Sequence, residues 1–180
     1  MRLIVLDRDG VINEDSPDHI RNPAQWRALP GSLDAIAALS AAGWTVAVAS
    51  NQSGVGRGFF DEATLDAINE KMRAAVAAAG GALGRTVYCP HLPTAGCPCR
   101  KPRPGLLNQL STVYGVSTGD MTVVGDSVRD IEAALAVGAR AVLVRTGNGK
   151  ASEAALADSA VVIHDDLASA ARAILAESAG

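Results

Sequence analysis

Aromatic residues make up only 3% of this 180-residue chain, too few for the stacking platforms that bind single-stranded nucleic acid. A basic excess is missing too. With 16 Lys and Arg against 19 Asp and Glu, the net charge is −3, which offers neither a polycation for nucleic acid nor a basic anchor for a membrane. No apolar run approaches the ~20 residues needed to span a bilayer. The first apolar stretch runs straight into Asp7-Arg8-Asp9, so no secretory leader is expected and the chain reads as cytoplasmic. Cysteine is limited to three residues, all between positions 89 and 99, which argues against a disulfide framework and for a metal or a reactive site. Repeats, low-complexity segments and linkers are absent. What is present is a 48% hydrophobic chain, suited to one domain over residues 1–180 with a single large core.

The chain is organised around its first eleven residues. Leu3 to Leu6 is an unbroken, β-branched-rich run, too short for a helix, which reads as a strand buried on both faces. It stops at Asp7 and Asp9. Carboxylates at the C-terminal end of a buried parallel strand lie in the crevice where open α/β sheets bind ligands. Two together need a cation, and Mg²⁺ with its oxygen ligands and accompanying phosphate suits them. A solvated turn is the alternative for such a pair taken alone. The pattern of strand followed by chemistry then recurs. Trp44 to Ala49 ends in Ser50-Asn51-Gln52-Ser53, and Met121 to Gly125 ends in Asp126-Ser127, with Asp130 on the turn that starts the next helix. Helices are expected from Ser32 as N-cap to Gly43, over 62–79 behind Asp61, from Gly105 to Tyr114, from Ile131 to Val137 and from Leu167 to Leu175; further strands are expected at 85–89, 141–144 and 161–163. The glycines of Gly54-Val55-Gly56-Arg57-Gly58 match no nucleotide-loop spacing and are expected to supply positive φ for a turn.

Cys89, His91, Cys97 and Cys99 fall within eleven residues of a proline-rich loop, matching a tetrahedral Cys₃His zinc set in type and number. Four protein ligands leave no open position, so the site reads as structural. It would stiffen the loop that presents Arg100 and Lys101 as phosphate-binding cations. The polar loop after the first strand offers Asp15, Ser16 and Asp18 for substrate hydroxyls. Strands alternating with helices predict a Rossmann-like α/β/α sandwich with a mostly parallel sheet, on which all these strand ends share one edge.

Asp7-Arg8-Asp9-Gly10-Val11, Ser50-Asn51, Lys101-Pro102 and Gly125-Asp126-Ser127-x-x-Asp130 resemble, in order and over nearly the whole chain, the four signature motifs of the haloacid dehalogenase superfamily of phosphotransferases. The Cys-x-His…Cys-x-Cys-Arg-Lys-Pro loop resembles that of its zinc-containing branch. The resemblance implies a Mg²⁺-dependent phosphoric monoester hydrolase without a cap domain, in which Asp7 is the nucleophile that forms an aspartyl-phosphate and Asp9 the acid and base. Ser50 and Lys101 would bind the reacting phosphate, and Mg²⁺ would sit on Asp7, the Asp9 backbone carbonyl and Asp126. Asp15, Ser16, Pro17, Asp18, Asn51, Gln52, Ser53, Arg100 and Ser127 would meet the substrate. The Leu29-Pro30-Gly31-Ser32 and Thr146-Gly147-Asn148-Gly149 segments resemble members that remove the 7-phosphate of D-glycero-D-manno-heptose 1,7-bisphosphate, a step toward lipopolysaccharide or S-layer glycan. The five residues between His91 and Cys97 resemble members acting on histidinol phosphate. The expected partner is a small phosphorylated sugar, met by a monomer, with no nucleic acid and no membrane. A non-catalytic zinc-stabilised binding module would share the Cys₃His loop but have no use for Asp9 beside Asp7.

Overall fold

The computed structural model describes residues 1–156 and 161–178. Six strands, β1 (Arg2–Leu6), β2 (Trp44–Asn51), β3 (Thr86–Cys89), β4 (Met121–Gly125), β5 (Arg140–Val144) and β6 (Val162–His164), form one sheet in the order β3-β2-β1-β4-β5-β6. Every pairing in it is parallel. The chain therefore starts in the middle, builds outward to β3, and crosses back to build the other half from β4. The order reverses between β1 and β4, and in such sheets the crevice beyond the strand ends opens at that reversal. β1 stops at Leu6 and β4 at Gly125, which sets Asp7 and Asp126 side by side at that point.

Alternation along the strands feeds two cores. Ile4, Leu6, Val46, Val48, Val124, Val142 and Val144 face α1 (Ser32–Ala41), α3 (Glu62–Ala78) and α7 (Leu167–Ser178). Leu3, Val5, Ala47, Ala49, Val123 and Leu143 face α4 (Gly105–Tyr114) and α5 (Val128–Leu135). Covering both faces is what makes the β1 run apolar at every position rather than every second one. The arrangement is the three-layer α/β/α sandwich expected. Two short helices, α2 (Ser53–Gly56) and α6 (Gly149–Ala155), follow β2 and β5. None of the helices in the described residues is long and apolar enough to cross a membrane.

Local expectations met several corrections. Ser32 is not the N-cap of α1; Gly31 holds that position at φ 75°. Ser32 lies inside the helix and its hydroxyl donates to the carbonyls of Ile12 and Leu29, tying the helix start to the loop after β1. Gly54 and Gly56 do not provide a positive-φ turn but lie within α2, where a Cβ would come 2.4 Å from the Phe60 ring and 2.5 Å from the Pro90 carbonyl oxygen. Close approach is their reason, and only Gly58 of the three has positive φ (71°). Helix α6 was not among the helices expected; its first residue, Gly149, would with a Cβ meet the Val144 carbonyl at 1.8 Å. The helix expected from Ile131 to Val137 is α5, Val128–Leu135, which starts earlier because Ser127 and Asp130 form a capping box that puts Asp130 inside the first turn. Asp61 caps α3 as expected by accepting from the Thr64 amide at 2.8 Å, and α4 has the expected bounds.

Candidate active site

The strand ends open onto a polar cavity of about 280 Å³. Asp7, Asp9, Asp15, Ser16, Ser50, Asn51, Ser53, Arg100, Lys101, Asp126 and Ser127 all line it. These residues come from four separate stretches, and the parallel sheet alone brings them together.

At its floor lies a buried charge cluster. The Lys101 ammonium, 4% exposed, sits 3.0 Å from Asp7 Oδ1 and 2.6 Å from Asp130 Oδ1, and donates to the Ala49 carbonyl at 2.7 Å. Its three donors are thus all engaged. Asp130, 2% exposed, uses its other oxygen to accept from the Ser127 amide and hydroxyl, closing a capping box at the start of α5. Asp130 is therefore the group that fixes Lys101, a link no local pattern carries. Asp126 accepts from the Asn148 amide at 2.8 Å. Gly10 and Gly147 pass so close that a Cβ on either would lie 2.1 Å from its carboxylate.

Ligand oxygens of Asp7, Asp126 and Asp130 lie within 4.8 Å of one another. With all three ionised, the single Lys101 charge leaves two negative charges unbalanced. Burial above all, and then Asp130, Asp126 and Asp9 acting against Lys101, pushes Asp7 up to about 7. Burial, Asp130 and Asp15 push Asp126 up to about 6. A divalent cation on oxygen ligands fits this deficit. Since Asp130 is committed to Lys101 and Ser127, the carboxylates left for it are Asp7 and Asp126.

Asp9 is held differently. Arg8, 1% exposed, grips it with Nε on Oδ1 and Nη2 on Oδ2, both at 3.0 Å, while Asn13 and Gln52 donate to it at 2.8 Å. Burial works to raise its pKa, but the Arg8 charge and these hydrogen bonds prevail and lower it. The Asp9 carboxylate is thus clamped apart from the Asp7 cluster.

The Cys₃His loop is assembled as its spacing predicts. Cys89, Cys97 and Cys99 sulfurs stand 3.2–3.5 Å apart, and His91 Nδ1 lies 3.4 Å from Cys89 and 3.3 Å from Cys99. All three cysteines are free. Zn–S bonds of 2.3 Å put tetrahedral sulfurs roughly 3.8 Å apart, so these four atoms have converged slightly inside a zinc shell. Burial pushes Cys89 up to about 12, while at Cys97 the backbone amide of Arg100 and the neighbouring thiols outweigh burial and bring it down to about 6. The loop's exit is pinned by a reciprocal pair, Asn51 Nδ2 to the Lys101 carbonyl and the Lys101 amide to Asn51 Oδ1, each 3.1 Å.

Three residues expected to meet the substrate are not among those lining this cavity. Gln52, 3% exposed, turns inward to donate to Asp9 and Ser50. Pro17 lines an adjoining hollow that shares Asp15 and Asn148 with the cavity, and Asp18 lines neither. The loop curls there, its Asp18 amide bonded to Ser16 Oγ and its Asp18 carbonyl taken by Arg21. Conversely, His19, Arg57, Arg129 and Asn148 line the cavity without having been anticipated. Arg129 stands between Asp126 and Asp130, and Asn148 in the Thr146–Gly149 segment, so position beside a motif was the available signal for these two. Nothing local marks Arg57 or His19.

The HAD-hydrolase-like family model matches residues 98–170, a span that carries Lys101, Asp126 and Asp130. D-glycero-beta-D-manno-heptose-1,7-bisphosphate 7-phosphatase of Pseudomonas putida is 51% identical over 97% of this chain and 100% of its own length. The like-named protein of Bordetella bronchiseptica is 47% identical over 99% of this chain and 100% of its own. Among solved structures, the D,D-heptose 1,7-bisphosphate phosphatase of B. bronchiseptica complexed with magnesium and phosphate superposes with a TM-score of 0.93 at 47% identity, covering 98% of this chain and 99% of that one. The corresponding enzyme of Burkholderia thailandensis gives 0.74 at 43% identity, covering 97% and 99%. With such identity along its entire length, this chain belongs to the family of D-glycero-beta-D-manno-heptose-1,7-bisphosphate 7-phosphatases within the HAD-like hydrolases.

Proposed function

We propose that the chain, acting as one phosphatase domain, hydrolyses the 7-phosphate of D-glycero-beta-D-manno-heptose 1,7-bisphosphate, the compound in its relatives' names. The observation that carries the reading is the buried cluster of Asp7, Asp126, Asp130 and Lys101, two positive charges short of neutrality at the point where the sheet order reverses. Asp7, Asp126 and the Asp9 backbone carbonyl would hold Mg²⁺, the ion in the B. bronchiseptica complex. When bound, it keeps Asp7 ionised and screens it from a phosphate dianion.

The chain's own groups then divide the work. An Asp7 oxygen attacks phosphorus, the bond to the sugar oxygen breaks, and an aspartyl-phosphate forms. The leaving oxygen takes its proton from Asp9. That group is ionised while clamped to Arg8, and an arriving dianion raises its pKa by like-charge repulsion, which favours the protonated form the step requires. In the second step Asp9 accepts a proton from water as that water attacks phosphorus, releasing inorganic phosphate and restoring Asp7. Ser50 and Lys101 bind the equatorial oxygens, where transition-state charge is spread. Because all three Lys101 donors are engaged, a phosphate oxygen takes over the one pointed at Asp7 as Asp7 turns to attack. Zinc on Cys89, His91, Cys97 and Cys99 holds the loop that carries Arg100 and Lys101, with Asp15, Ser16, Asn51, Ser53 and Ser127 around the sugar. Thiols kept as metal ligands fit the reducing cytoplasm, and a crevice complete within one chain fits a monomer.

Phosphate release from the heptose bisphosphate, from histidinol phosphate and from a generic phosphate ester tests this directly. The heptose compound should lead by kcat/KM, with Mg²⁺ required, and Asp7→Asn should lose more than the ~10²–10⁴-fold of an acid or base alone. Preference for histidinol phosphate would overturn the substrate, and near-normal turnover by a folded Asp7→Asn protein would overturn the nucleophile.

A further inference from the structure

The cavity has a second charged region that the chemistry above does not use. Arg57 at the end of α2, Arg100 in the zinc loop and Arg129 in the first turn of α5 all line it. Neither Arg57 nor Arg129 makes a side-chain hydrogen bond or ion pair to any described residue, and Arg100 has only a long contact (3.4 Å) to the His91 carbonyl. Some arginines elsewhere find acids, Arg73 with Glu70, Arg140 with Glu177, and Arg145 with Glu153 and Asp165, while Arg27, Arg85 and Arg172 pair with none among the described residues; what sets Arg57, Arg100 and Arg129 apart is that all three line one cavity. Arg129 is also misplaced for its helix, since the first turn favours acids and disfavours cations.

The three arginines line a single cavity of about 280 Å³, close enough for their charges to repel one another. The charges acting on Asp7, by contrast, are those of Lys101, Asp130, Asp126 and Asp9. One cavity therefore holds an acidic floor with its own lysine and, beside it, three arginines that form no ion pair with a described carboxylate. Like charges gathered without a partner repel, and a multiply charged oxyanion relieves them with bidentate contacts.

We propose that Arg57 and Arg129 join Arg100 in gripping the second phosphate of the substrate, the one that is not hydrolysed, and so make the enzyme select bisphosphates. The inference rests on the bisphosphatase reading, which names what the second anion is. Asn51 and Ser53, which lie between β2 and Arg57 along the chain, line the same cavity.

The test is a ratio: kcat/KM for heptose 1,7-bisphosphate over that for heptose 7-phosphate, with fructose 1,6-bisphosphate over fructose 6-phosphate as a second pair. Arg57→Gln and Arg129→Gln should each lower the ratio about tenfold, the scale of one exposed charge-assisted contact, chiefly through KM. The double variant should lower it further. Arg57→Lys and Arg129→Lys should retain much of the preference, because the charge remains; a merely structural role would not follow charge in this way. A double variant whose ratio stays within about twofold of wild type, or one that loses equally on both members of a pair, overturns the proposal. A wild type that leaves the heptose compound alone yet prefers fructose 1,6-bisphosphate, and loses that preference in the variants, upholds the subsite while rejecting the heptose reading. A wild type with no preference in either pair rejects the subsite.

Discussion

Magnesium binding should weaken steeply as the pH drops from 8 to 6, and the crevice sets by how much. Asp7 is pushed up to about 7 and Asp126 up to about 6, first by burial and then by the carboxylates around them. A carboxylate must be ionised to ligate a metal. At pH 8 nearly every molecule has both groups ionised. At pH 6 about nine in ten Asp7 groups and half of the Asp126 groups carry protons, so roughly one molecule in twenty is ready to bind. The apparent Kd for Mg²⁺ should therefore rise about 20-fold, equivalent to about 1.8 kcal/mol. Stability without the metal moves in the opposite sense. Both carboxyls sit above their ordinary value of 3.8, so the folded chain holds these protons more tightly than the unfolded chain. The stability this contributes is fully present below about pH 4 and is lost as the pH rises through 6 and 7. Bound Mg²⁺ offsets the loss. The gap in Tm between protein with and without Mg²⁺ should thus widen from pH 6 to pH 8. Calorimetric titration at matched ionic strength gives the Kd ratio, and thermal melts in magnesium-free and magnesium-containing buffer give the gap. A Kd that changes less than twofold, or a gap that narrows toward pH 8, would refute the reasoning.

Two further outcomes follow from the same floor and from the loop above it. Asp130→Asn leaves the buried Lys101 ammonium without its closer partner and turns an amide toward the Ser127 N–H; the cost should be ~3–5 kcal/mol, or roughly 6–20 °C in Tm at this size, and an unchanged melt would show that the pair does not hold the site. Cys97→Ser leaves an incomplete thiolate set, so the protein should lose the one zinc per chain expected of wild type, together with stability and placement of Arg100 and Lys101; elemental analysis finding no zinc in wild type prepared without chelator would sink the metal assignment.

Local patterns carried much of the site. A buried apolar run ending in two aspartates marks a strand end by nearest neighbours alone, and the same holds for Gly125-Asp126. Three cysteines and a histidine in eleven residues mark a Cys₃His set by type and number, and the structure brings the four together. Helix α4 was readable to its bounds, between the prolines before it and Gly115 in the left-handed region after it.

The partners of those residues came only with the tertiary structure. Arg8 reads as a spacer between two aspartates, yet it is among the largest fully buried side chains and clamps Asp9, because β1 delivers it inward against Asn69, 61 positions away. Gln52 reads as a pocket residue but spends its amide on Asp9, 43 positions back. Asp130 gains its role only when the Cys₃His loop lays Lys101 between it and Asp7. Asn148 bridges Asp126 and Asp15 across 22 and 133 positions. Sequence alone determined which chemical groups stand at the strand ends, since that depends on short-range periodicity and breakers. Which charge meets which was decided by strand order and crossover, because an ion pair or a clamp depends on distances in space that separation along the chain does not set.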